Sequence, residues 1–88
     1  METTELFGRY HRRIRQLASH RADRSVLRAE IAEVMERLNE ECRRLSPASS
    51  RRLRDELASQ LEEEALHCTD ASMKAVLVIA VKHLEAEP

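Results

Sequence analysis

The sequence predicts an all-α fold, a small three- to four-helix bundle forming a single helical domain over residues 1–88. Three observations predict it. One glycine and two prolines leave little turn chemistry for hairpins, while Ala, Leu, Arg and Glu abound as helix formers. Apolar residues recur at helical spacings along most of the chain. Seven consecutive apolar residues, Ala75 to Val81, also stand between Lys74 and Lys82 in a chain that is 35% charged. A helix of that length turns almost twice, so these side chains point in every direction and need cover, from the chain's own helices or from another chain.

The first helix is expected over about residues 4–18, with Thr3 or Thr4 as N-cap. Leu6, Tyr10, Ile14 and Leu17 form one face at spacings of four, four and three; Phe7 and Ala18 widen it, and Arg9, Arg12, Arg13 and Arg15 lie mostly outside it. Ser19 to Asp23 make a short connection, with Asp23 or Ser25 capping the next element.

The second helix, about 24–45, has the clearest seam: Leu27, Ile31, Val34, Leu38, Cys42 and Leu45, flanked by Val26 and Met35. Ser46-Pro47 is the strongest boundary in the chain. Pro47 suits the first helical position, where a missing N–H costs nothing, and Ser46 can cap.

The third helix, about 47–67, puts Leu53, Leu57, Leu61 and Ala65 on one side. Thr69-Asp70 offers a cap for a fourth helix over 71–86. No Gly or Pro enforces that break, so one long rod is the alternative. The β-branched Val76, Val78, Ile79 and Val81 favour strands. A lone strand would have unpaired edges, however, and Met73, Leu77, Ala80 and Leu84 keep helical spacing. Helix is the reading.

Composition narrows the function. A net charge of −1 excludes a strongly basic nucleic-acid arm and an acidic disordered tail. Cys42 and Cys68 allow at most one internal disulfide, fewer than a secreted scaffold of this size carries. The N-terminus lacks the apolar segment of a signal peptide, and the longest apolar run falls far short of the about 20 residues needed to cross a bilayer. A cytoplasmic location without membrane association is therefore expected.

Catalytic machinery is not evident. Glu64 and His67 form an E-x-x-H pair, the spacing by which helical carboxylate and imidazole reach one metal, but the chain has no second such pair. Cys42, His67, Cys68 and His83 show none of the usual zinc spacings. Cys68 beside His67 has no Gly-rich turn to build an oxyanion hole. The expectation is a non-enzyme without metal or cofactor.

The sequence points instead to a small protein–protein interaction module of adaptor, chaperone or inhibitor type, binding another protein or itself as a homodimer. Its expected interface is Met73, Val76, Val78, Ile79, Val81 and Leu84 on the apolar fourth helix. The same general pattern occurs in small bacterial adaptors, secretion chaperones and phage-encoded inhibitors, an analogy of architecture that does not fix function. The alternative is a helix-turn-helix-like DNA-binding regulator. Ser49, Arg51, Arg52 and Arg54 open the third helix, where base and phosphate contacts are made in such motifs.

Overall fold

The computed structural model describes residues 2–20 and 23–86. Among these residues there are four helices and no strand: α1 (Glu2–Ser19), α2 (Arg24–Cys42), α3 (Pro47–Leu66) and α4 (Ala71–Ala86). Arg13 meets Glu30 and Arg9 meets Glu41, so α1 and α2 run antiparallel.

The helix ends follow from local chemistry. α1 begins at Glu2, so Thr3 and Thr4 lie inside its first turn and do not cap it. α2 stops at Cys42, three residues short of the expected end at Leu45. Pro47 has no N–H to offer the Arg43 carbonyl, so the ladder cannot continue. The chain instead closes with tighter bonds, from Arg44 N–H to Glu41 O at 3.1 Å and from Leu45 N–H to Cys42 O at 3.0 Å. Ser46 is extended and its hydroxyl accepts the Ser49 N–H at 3.1 Å, capping α3. α3 and α4 are separate helices, not one rod. Asp70 Oδ1 accepts the N–H groups of Ser72 at 2.9 Å and Met73 at 3.1 Å, so a single carboxylate starts α4 where no Gly or Pro stands.

The expected seams all turn inward. Leu6, Tyr10, Ile14, Leu17 and Ala18 of α1 are buried, as are Leu27, Ile31, Val34, Met35, Leu38 and Cys42 of α2 and Leu53, Leu57, Leu61 and Ala65 of α3. Val26, which flanks the α2 seam, lies outside the core at 49% exposure. α4 is a helix, β-branching notwithstanding, and contributes Val76, Leu77, Ala80, Val81 and Leu84 to the same core cluster. It packs against all three other helices, most extensively against α3, whereas α2 and α3 approach each other only weakly. The radius of gyration, 12.4 Å, is close to the about 12 Å expected of a compact chain of this length, so the apolar run finds most of its cover within its own polypeptide.

Candidate functional site

α4 divides the six expected interface residues into two sets. Val76, Val81 and Leu84 are buried in the bundle's own core, where they cannot meet a partner while the bundle is folded. Three amphipathic neighbours enclose this side of α4. Met73, Val78 and Ile79 are half-buried, touching the core with one edge and water with the other.

At 100° per residue, Val78 and Ile79 straddle the outward direction of α4, with half-buried Ala75 and exposed Ala71, Lys82 and Ala86 between them. Exposed Lys74 and Glu85 share one flank of this strip. The outer surface of α4 is thus a narrow line of small and β-branched side chains with Lys82 inside it and charge along one flank.

A second, more polar feature lies between α1 and α3. Glu64 is the hub. Its Oε2 accepts from Gln60 Nε2 at 2.8 Å and from His11 Nε2 at 2.8 Å, while Arg15 Nη1 meets Oε1 at 3.0 Å. The Glu64 side chain is only 16% exposed. Burial pushes its pKa up, but the bonds from Gln60, His11 and Arg15 together outweigh burial and hold the carboxyl below its ordinary value. Phe7 stacks on the His11 ring with centroids 5.6 Å apart, so α1 presents Phe7, His11 and Arg15 to α3 as one stripe.

The two helices do not close over this stripe. A recess of about 450 Å³ is lined by Arg15, Gln60, Glu63, Glu64, His67, Cys68, Met73 and Leu77. A neighbouring recess of about 360 Å³ is lined by Thr4, Phe7, Glu56, Ser59, Gln60 and Glu63. Gln60 and Glu63 belong to both, so the recesses join into one groove running along α1 and α3. Leu66 is 74% exposed but lines neither recess, since it projects from the side of α3 away from the core.

Sequence reasoning placed Glu64 with His67, three residues on. The structure turns Glu64 toward α1 instead, while His67 is an exposed residue closing the C-terminus of α3. Among the described residues no cluster of three His, Cys, Asp or Glu side chains could hold a metal. Cys42 is buried, Cys68 is partly buried with its Sγ 3.4 Å from the Asp70 carbonyl oxygen, and neither forms a disulfide. The groove was missed because its walls come from distant segments. Its one sequence signal is a stripe beside each apolar seam, Phe7-His11-Arg15 and the polar Glu56-Gln60-Glu64, both repeating every four residues.

The residues of the nucleic-acid alternative are dispersed in role. Arg51 and Arg52 are exposed, the Ser49 N–H is engaged in the helix cap, and partly buried Arg54 donates to Asn39 Oδ1 of α2. The weak approach of α2 to α3 also departs from a helix-turn-helix, whose two helices pack on each other.

No helix among the described residues is long and apolar enough to cross a membrane. Compared with protein-family models, curated proteins and solved structures, the chain finds no match in any of the three.

Proposed function

We propose that this chain is a non-catalytic protein–protein interaction module that works in the cytoplasm and self-associates through the outer strip of α4. One observation carries the reading: Ala75, Val78 and Ile79 remain partly open to water on a helix whose other side is saturated by its own bundle. An antiparallel pairing of two α4 helices, centred between Val78 and Ile79, sets Ala71 opposite the partner copy's Ala86 and Ala75 opposite its Lys82. In that arrangement each Lys74 lies about 3 Å along the axis from the level of the partner copy's Glu85, within reach of an ion pair. The strip is self-complementary in shape and in charge.

α4 is about 24 Å long, so one helix pair alone makes a small interface. A monomer–dimer equilibrium with a Kd on the order of micromolar is expected. Sedimentation equilibrium over a range of concentrations tests it. Lys74→Glu alone weakens the dimer, and adding Glu85→Lys in the same chain restores it. Ile79→Asp abolishes the dimer. An unmodified protein that stays monomeric at every concentration removes the reading. The DNA-binding alternative gains no support from the way α2 and α3 are placed, and a protein that fails to shift DNA mobility at low salt eliminates it.

A further inference from the structure

We infer that the groove between α1 and α3 is a docking site for a basic amphipathic helix of a partner protein. The inference rests on the reading of the chain as an interaction module, but it uses a different face from the α4 strip.

The groove has the chemistry that such a helix requires. Its ends are apolar: Phe7 at one, Met73 and the buried Leu77 at the other. Its rim is acidic. Glu56 and Glu63 are exposed, seven residues apart, and neither forms an ion pair with a described residue. Glu64 lies deeper, and its charge is already met by Arg15 and the His11–Gln60 pair. The unanswered charge of the groove is therefore negative and lies at its mouth.

Seven residues of α3 span about 10.5 Å, and the same interval on a partner helix separates positions i and i+7. A helix lying along the groove would set two Lys or Arg residues over Glu56 and Glu63 and its apolar stripe against Phe7 and Met73. The long stems of Lys and Arg suit this, covering apolar surface while carrying their charge to the rim. A second copy of the chain does not fit, because the apolar face of its own basic helix α1 is buried in the bundle.

The test titrates the ¹⁵N-labelled protein with a synthetic Leu/Lys peptide in amphipathic helical order, following amide shifts and Kd at low salt. The peptide should perturb Phe7, Gln60, Glu63 and Met73. Glu56→Lys with Glu63→Lys should weaken binding about tenfold or more. Asp55→Lys with Glu62→Lys makes the same change of net charge on the same helix outside the groove, and should change Kd less than about twofold. All four positions are exposed, so both double variants keep the core intact. Equal losses in the two double variants mean that general electrostatics is responsible, and the proposal fails. It fails also if the peptide does not bind, or if a scrambled, non-amphipathic peptide binds as well. Sedimentation of the same preparations separates the two faces: a dead groove leaves α4 dimerisation unchanged.

Discussion

The Tyr10 hydroxyl donates a 2.7 Å hydrogen bond to Glu41 Oε2, tying the middle of α1 to the last turn of α2. Arg9 Nη1 reaches the same oxygen at 3.3 Å. Tyr10 belongs to the core by its ring and to the surface by its hydroxyl, which is how a buried tyrosine normally satisfies its polar end. The bond fixes the register of α1 against α2 where the flanking apolar contacts are non-directional.

This bond makes stability fall at high pH. Burial, then the hydrogen bond and the charge of Glu41, raise the Tyr10 pKa from 10.0 to about 12. The folded state therefore holds the phenolic proton more tightly than the unfolded chain. Its contribution is complete below pH 10.0 and is lost as pH rises toward about 12. Tyr10→Phe should flatten that decline and cost about 1 kcal/mol at neutral pH. Urea unfolding across this window measures both, and tyrosinate absorbance reports this residue alone because the chain has a single tyrosine.

At the acid end, Glu64 acts in the opposite direction. Its folded pKa lies below the ordinary 4.5, so its contribution is present above that value and disappears as pH falls through the lowered one. Glu64→Ala leaves His11, Arg15 and Gln60 without their shared acceptor and should cost about 2 kcal/mol at neutral pH. Denaturant titrations at a series of acidic pH values should show a shallower acid decline in the variant. An unchanged profile would show that the α1–α3 network contributes nothing.

Gly8 sits inside α1, and a Cβ built there meets nothing within 4 Å. Gly8→Ala should therefore add about 0.5–1 kcal/mol by removing backbone freedom from the unfolded chain. Thermal melting should move up by a few degrees, roughly 4 °C.

Two N-caps should respond unequally. The Ser46 side chain accepts a backbone N–H of α3, whereas the Asp23 side chain makes no such bond to α2 and accepts the Ser25 hydroxyl instead. Ser46→Ala should cost about 1 kcal/mol and Asp23→Ala clearly less, as read from paired denaturation curves.

Much of the architecture is legible in the one-dimensional pattern. The seams of α1, α2 and α3 could be named residue by residue, because each helix buries one stripe and the stripe repeats at helical spacing. Pro47 announced its boundary because a missing N–H is a local property. The early end of α2 was not legible: Leu45 continues the apolar spacing, and the loss appears only when the carbonyl that Pro47 abandons is counted. α4 was the hardest case. An all-apolar run has no preferred face of its own, so which of Val76, Val78, Ile79 and Val81 become core depends on where the neighbouring helices arrive.

The candidate sites divide in the same way. That α4 would organise the molecule follows from its sequence, since hydrophobic burial scales with apolar area wherever the cover comes from. That only Val78 and Ile79 of its β-branched residues keep one edge in water was decided by the packing of α1, α2 and α3 around it. Glu64 keeps Gln60 as a partner on its own helix, and tertiary structure added His11 and Arg15 where the spacing had offered His67. Short-range periodicity determines which face of each helix turns inward; which polar stripes then meet depends on which helices become neighbours, a long-range property that no local spacing encodes.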